Sequence, residues 1–229
     1  MTLVRSPRAI VAVLGASFAL SACASLPTKQ DRGALIGMAT GAAVGGAIGS
    51  KNGGTAKGAI IGAAVGGVAG AVIGRQMDKQ AKEIEQQIPG AVVERVGEGI
   101  QVTFESGLLY DFNSDVVRAE AARNLRTFAA SLDKYPGTEV LIVGHTDDVG
   151  GDSFNQSLSD RRARAAASYL VNQGVERSRL RTLGRGETEP VASNGDESGR
   201  SRNRRVEIAI FASEEGREKV QNELRAQGI

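Results

Sequence analysis

Between Gly144 and Ala163 the chain reads GHTDDVGGDSFNQSLSDRRA, and this stretch holds the densest set of side chains able to recognise a charged ligand. A strand expected over Glu139 to Gly144 delivers the backbone to a loop rich in glycine and aspartate, and the loop feeds a helix expected from about Phe154 to Gln173. Ser153 with Gln156 three residues on fits a capping box that places the helix start there. Free amides and the helix dipole favour an anion at such an end. Leu158, Ala165, Ala166, Tyr169 and Leu170 form the inward stripe of this helix, and Arg162 belongs to it. Because helical side chains lean toward the N-terminus, its guanidinium reaches back toward the loop that carries Thr146 and Asp147. An always-charged fork in a half-buried place needs a carboxylate. Spacing leaves two arrangements open: Arg162 and Asp147 pair and pin loop to helix, or they stand apart and read a zwitterion. In the second, Arg162 takes the carboxylate of an amino-acid end group while Asp147 accepts from its ammonium.

Other chemistries fit poorly. Asp147, Asp148 and Asp152 lack the spacing and closing glutamate of a calcium loop. His145 is the only histidine and has no soft co-ligand for zinc and no nucleophile beside it in a recognisable motif. Gly184-Arg185-Gly186 is a glycine turn and not a nucleotide fingerprint, and no paired carboxylates stand in the context of a glycan-cleaving enzyme. The sequence therefore assigns no catalytic residue, no metal and no cofactor beyond a covalent lipid.

The elements that position this stretch alternate. Ala91 to Val96 and Ile100 to Phe104 read as a hairpin around Gly97-Glu98-Gly99. A strand through Leu108 to Phe112 follows, then a helix from about Asp115 to Lys134 stopped at Pro136-Gly137. After the strand and helix named above come a strand near Arg179 to Arg185, a polar loop and a last strand Val206 to Phe211. The order β-α-β-α-β-β predicts an α/β sandwich, a mixed sheet with helices on one face. It occupies residues 91–213, with a helical tail over 214–229.

The N-terminal half is of another kind. Arg5 and Arg8, an apolar run from Ala9 to Leu20, and Ser21-Ala22 have the layout of a secretory signal over residues 1–22. Leu20-Ser21-Ala22-Cys23 resembles the bacterial lipobox, in which the thiol is alkylated by diacylglycerol and becomes the new N-terminus. Cys23 is the only cysteine, so no intramolecular disulfide forms, and lipidation accounts for an unpaired thiol in an exported chain. Ala24 at the next position resembles the sorting choice for the outer membrane, and several acyl chains, palmitate among them, hold more firmly than one. The formal charge is +2, but Arg5 and Arg8 leave with the signal, so Lys and Arg then balance Asp and Glu. A nucleic-acid partner loses its electrostatic footprint.

Residues 23–32 form a short tether. Beyond it Gly33, Gly37, Gly41, Gly45 and Gly49 recur every four residues, as do Gly58, Gly62, Gly66, Gly70 and Gly74, and the second run repeats the first 25 positions on. Each glycine costs a helix about 1 kcal/mol relative to alanine, which close helix–helix packing along a four-residue groove offsets. A helical hairpin over 33–75 is expected, its arms packed on each other or on other copies, so that a homo-oligomer is one outcome. A 17-residue arm spans about 25 Å, short of a hydrocarbon core of about 30 Å, so length alone does not make these arms membrane spans. Met77, Ala81, Ile84 and Ile88 then mark an amphipathic linker helix over 76–90, ended by Pro89-Gly90.

His145-Thr146-Asp147, Asn155, Leu158-Ser159, Arg162-Ala163, Gly174-Val175, Gly184-Arg185-Gly186-Glu187, Pro190 and Asn203-Arg204-Arg205-Val206-Glu207 together resemble the C-terminal domain family of outer membrane protein A and the peptidoglycan-associated lipoprotein, in order over roughly residues 100–211. The resemblance implies a periplasmic domain that binds the stem peptide of peptidoglycan without catalysis, recognising the free zwitterionic end of meso-diaminopimelate. It places Asp147 and Arg162 at the two positions that hold diaminopimelate. Asn155 and Leu158 match pocket-lining positions, and Asp111, Phe112 and Asn113 match the strand-end segment beside the pocket. Arg204 and Arg205 match the family's terminal Asn-Arg-Arg and either back the pocket, contact a phosphate-like anion, or only brace the sheet. The expected protein is a lipid-anchored tether between outer membrane and wall. The alternative is a multimeric, pore-like or scaffold assembly of zipper helices that the wall-binding domain positions. Motor stators share the family, but a lipobox in place of a long apolar anchor helix argues against that placement.

Overall fold

The computed structural model describes residues 54–229 apart from Phe112. The signal, Cys23, the tether and the first glycine run therefore lie outside the described residues.

Five strands form one mixed sheet in the order β1-β2-β5-β3-β4. β1 (Ala91–Val96) and β2 (Gly99–Glu105) make the expected hairpin. β5 (Arg205–Ala212) is the central strand and is buried along its whole length, antiparallel to both β2 and β3 (Thr138–Gly144). β3 and β4 (Leu180–Gly184) run parallel, with Gly144 opposite Gly184 at their carboxyl ends. Alternation along the strands sends Ile100, Val102, Phe104, Val140, Ile142, Val206, Ile208 and Ile210 to one face. There they meet Ile73, Met77 and Ile84 of α2 (Gly67–Gln87), Leu125, Phe128 and Leu132 of α4 (Ala119–Lys134), and Ala163, Ala166 and Leu170 of α5 (Asp152–Asn172). Phe104 and Phe128 pack edge to face, their ring centres 6.3 Å apart. This is the mixed sheet with helices that the alternation of patterns predicts.

The opposite face is not bare. α1 (Thr55–Gly62) lays Ala56, Ala59 and Ile60 on Leu141, Val143, Leu183, Ala209 and Phe211, forming a second, smaller core. A methyl at Gly99 would run into Ile60 and the carbonyl of Ile210, so glycine there lets the helix seat on the strands. The second glycine run is consequently not one helical arm. It breaks after α1, and α2 starts only at Gly67, with Gly66 and Gly67 at φ +74° and +63°. At the break the Glu98 carboxylate accepts from the amides of Val65 (2.8 Å) and Gly66 (2.7 Å). The chain thereby passes round the β1–β2 turn from one face of the sheet to the other. Gly70, where a methyl would overlap the same carboxylate, packs on Glu98 rather than on a partner helix. α2 also runs unbroken across the boundary drawn at 75/76, and its inward stripe belongs to the main core, so residues 76–90 are part of the domain and not a linker. Among the described residues no helix is long and apolar enough to cross a membrane.

Two further elements differ from the sequence reading. Residues around Leu108 form a single helical turn, α3 (Ser106–Leu109), and no strand: Ser106 donates its amide to the Arg204 carbonyl and Tyr110 donates back to Ser106. Among the described residues of this segment only Tyr110 bridges, to Val117. α4 begins at Ala119 rather than near Asp115, after a turn in which Asn113 takes φ +54°. Two further α-helices among the described residues are short α6 (Glu197–Asn203), capped by Asp196, and α7 (Glu214–Ala226), capped by Ser213.

Candidate ligand-binding site

The carboxyl ends of β3 and β4 carry the loop His145–Gly151, the N-terminus of α5 and the segment before β5. Glycine at 144 and 184 is what brings these together. A methyl at Gly144 would overlap the carbonyl of Ser159, and one at Gly184 would strike the backbone and side chain of Ser159 and Asp160, so α5 lies directly against the strand ends. Asp160 accepts from the Gly184 amide at 2.7 Å and Ser159 from Gly186 at 2.9 Å, fixing that contact. α5 starts at Asp152 with Gly151 as N-cap and no side-chain cap, so the expected capping box is absent. Gln156 donates instead to the Gly184 carbonyl (2.9 Å), which removes it from any reciprocal bond to Ser153.

Arg162 is 4% exposed, and Asp147 is 7% exposed. They do not pair. Arg162 Nε donates to the Ser114 carbonyl at 2.9 Å, its guanidinium lies 5.4 Å from the centre of the Tyr110 ring, and no carboxylate lies within ion-pair distance among the described residues. Tyr110 in turn donates its hydroxyl to the Arg162 carbonyl at 2.7 Å. Burial pulls the Arg162 pKa below the ordinary arginine value; Tyr110 opposes that shift, Arg204 adds to it, and Asp115 and Asp147 oppose it. Burial also pushes the Tyr110 phenol far up, so it stays a neutral donor. Asp147 is held by Arg204, whose Nη1 lies 2.6 Å from Oδ2, while Oδ1 accepts from the Val149 amide at 3.3 Å. Arg204 also binds Glu197, and although burial works against its charge, these two carboxylates raise its pKa. Hydrogen bonds from Arg204 and then Arg200 lower that of Glu197.

The structure therefore brings Asp147, Arg162 and Arg204 to one place, and Thr146 precedes Asp147 in the same loop. The Thr146 hydroxyl is buried and has no hydrogen-bond partner among the described residues. Asn155 is buried and donates to Glu187 at 2.6 Å, and Leu158 is buried one helical turn before Arg162. Asp111 and Asn113 are exposed, Asp111 reaching Arg118 at 3.6 Å, and Phe112 lies outside the described residues. Arg205 separates from the group. It points to the second face, where it binds Glu207 (2.7 Å) and the Glu189 carbonyl (3.0 Å), and it braces the sheet. Consecutive residues entering a strand point to opposite faces, which splits the Arg204-Arg205 pair. Sequence reasoning did not find Tyr110, Ser114 or Glu197. Tyr110 was hidden inside an apparent strand, and a carbonyl such as that of Ser114 leaves no mark on residue type.

Chemically, this is a desolvated cation and a carboxylate held apart, each by neutral or opposite partners of its own. Such a pair presents one positive and one negative contact to a ligand without collapsing onto itself.

Comparison with known proteins agrees with this geometry. A model described as the OmpA family matches residues 109–204, which include Asp147, Arg162 and Arg204, and one described as a YMGG-like Gly-zipper matches residues 2–78. The peptidoglycan-associated lipoprotein of Pseudomonas putida is 36% identical over 119 residues, covering 52% of this chain and 71% of that protein. The probable lipoprotein YiaD of Escherichia coli (strain K12) is 40% identical over 121 residues, 53% of this chain, and the match spans only about half, 55%, of YiaD. Among solved structures, the cell wall anchor of the T6SS from Pseudomonas aeruginosa superposes with a TM-score of 0.52 at 34% identity, covering 60% of this chain and 97% of that one. The chain thus belongs to the OmpA-like family that includes the peptidoglycan-associated lipoproteins, with a YMGG-like glycine-zipper segment joined to the N-terminal side of that domain.

Proposed function

We propose that this chain is a lipid-anchored outer-membrane protein whose periplasmic domain binds peptidoglycan without catalysis, through the zwitterionic end of meso-diaminopimelate in the stem peptide. The observation that carries the reading is Arg162: a residue 4% exposed whose guanidinium has a carbonyl and an aromatic ring for company and, among the described residues, no carboxylate within ion-pair distance. A ligand carboxylate gives it the bidentate partner it lacks. Asp147, oriented by Arg204 and the Val149 amide, keeps lone pairs for the ligand ammonium. Similarity to lipoproteins named for peptidoglycan association supports the same reading. The lipid sits on Cys23, and no cofactor is required. Of the two roles weighed for the glycine segment, tether and multimeric assembly, the packing of its second run favours the tether: Gly70 and the α1 stripe are already occupied by this chain's own sheet and turn.

The test is retention on purified sacculi. Asp147→Ala and Arg162→Ala each abolish co-sedimentation while circular dichroism shows a folded domain. Retention at the wild-type level in both variants removes the basis for the assignment.

A further inference from the structure

A guanidinium facing a carboxylate ordinarily takes both oxygens at once, with two parallel N–H bonds from one fork. Arg204 does not do this with Asp147. Its Nη1 lies 2.6 Å from Asp147 Oδ2, while its Nη2 is turned onto Glu197 Oε1, so the fork is split between two carboxylates. Asp147 Oδ1 is left with the Val149 amide at 3.3 Å, long for such a bond, and with no charged partner among the described residues. What keeps Arg204 off that second oxygen is the hold of Glu197 on the other prong.

A short frame sets Glu197 in that place. It opens α6 and Arg204 is the C-cap, so about two helical turns bring the two onto one face, with Arg200 between them. Asp196 accepts from the Gly199 amide at 2.7 Å, and a methyl at Gly199 would overlap the Ser193 carbonyl, which seats the first turn of α6 on the loop before it. Arg200 grips Glu197 Oε2 through Nε (3.1 Å) and Nη2 (2.9 Å) and donates from Nη1 to the Asn194 carbonyl at 3.0 Å. Oε1 is thereby left to face Arg204. Arg200 and Glu197 balance in charge, so what Glu197 does to Asp147 is a matter of direction and not of net charge. On the diaminopimelate reading of the site, on which this inference rests, we propose that Glu197 is a positioning residue: by holding Arg204 Nη2 it confines Arg204 to one oxygen of Asp147 and reserves the other for the ligand ammonium. Without Glu197 the fork closes on Asp147 and competes with the ligand. The Glu197 side chain is 67% exposed, and exposed ion pairs add little to stability, so the fold survives its removal.

The test is calorimetric titration of the full-length chain in detergent with two muropeptides. One carries meso-diaminopimelate; the other carries 2-aminopimelate, whose free end keeps the carboxylate and lacks the ammonium. Wild type is expected to prefer the first by about tenfold or more, the scale of a hydrogen bond to a charged group. Glu197→Ala is expected to weaken the first by about threefold or more, the scale of an exposed ion pair, and to leave the second unchanged. Glu197→Gln keeps an acceptor for Arg204 Nη2 and recovers most of the loss. A merely structural role would move both ligands alike. Equal weakening of the two, no change in either, or a glutamine variant as weak as the alanine variant overturns the proposal while wall binding by the wild type stands. A wild type that binds neither muropeptide overturns the wall-binding reading itself, and the role of Glu197 with it.

Discussion

Replacing Arg162 with methionine separates a ligand-binding arginine from a structural one. In the free protein the guanidinium gains a charged hydrogen bond to Ser114, worth about 1.5–3 kcal/mol, and a contact with the Tyr110 ring worth about 0.5–2 kcal/mol. Against these stands the cost of taking the ion out of water, several kcal/mol after relaxation, which no carboxylate partner offsets. Methionine keeps most of the apolar stem in place. The free domain should therefore change in stability by no more than about 1.5 kcal/mol in either direction, a melting shift within about 5 °C for a domain of this size. Ligand linkage behaves differently. A diaminopimelate muropeptide at a hundred times its Kd stabilises the wild type by about 2.7 kcal/mol, and Arg162→Met should lose that shift, because truncating one partner of a buried charge pair costs about 2–5 kcal/mol of binding. Scanning calorimetry with and without muropeptide reads both quantities. A variant that melts more than about 10 °C below wild type, or that still shifts with muropeptide, refutes the reasoning.

Two other groups give measurable outcomes. His145 is 1% exposed and neither ring nitrogen has a hydrogen-bond partner among the described residues, the Glu207 carboxylate lying 3.9 Å from Nε2, and burial, then Arg205 and Arg185, drive its pKa well below 6.5. Its folded pKa lies below the unfolded one, so the unfolded chain takes up the proton first. Stability is intact above about pH 6.5 and is lost as pH falls below it. His145→Leu should flatten the slope of unfolding free energy between pH 6.5 and 5 in urea titrations, whereas an unchanged slope would place the acid sensitivity elsewhere. Glu98 caps the α1–α2 break, so Glu98→Ala should cost about 1 kcal/mol and raise amide exchange at residues 55–66 above that of β5. Exchange that rises equally throughout would show that α1 has no separate hold.

Much of the fold was legible because local pattern and global role coincide. The alternation in 91–96, 100–104, 139–144 and 206–211 matches strands whose two faces meet different layers. Arg162 was legible because it interrupts an apolar helical stripe, and Asp147 because a helical arginine leans toward its loop. The errors arose where tertiary contacts outweigh pattern. Leu108 to Phe112 reads as a strand, but Ser106 is tied to the Arg204 carbonyl nearly a hundred positions away and the chain turns there. The glycine period of 58–74 reads as one helix, yet the Glu98 carboxylate, far along the sequence, captures Val65 and Gly66 and breaks it. Ser153 and Gln156 have the residue types of a capping box, but the Gly184 carbonyl competes successfully for Gln156. Arg204 and Arg205 share a motif, and only the pleat assigns one to the site and the other to the opposite face.

The central claim is a site for one doubly ionised amino-acid end, and its most direct test is calorimetric titration of the wild-type chain with matched muropeptides. One carries meso-diaminopimelate; the other carries lysine, which lacks the second carboxylate. Saturable binding of the first, with the second weaker by at least a hundredfold, is the predicted result, and equal affinity for the two would contradict it.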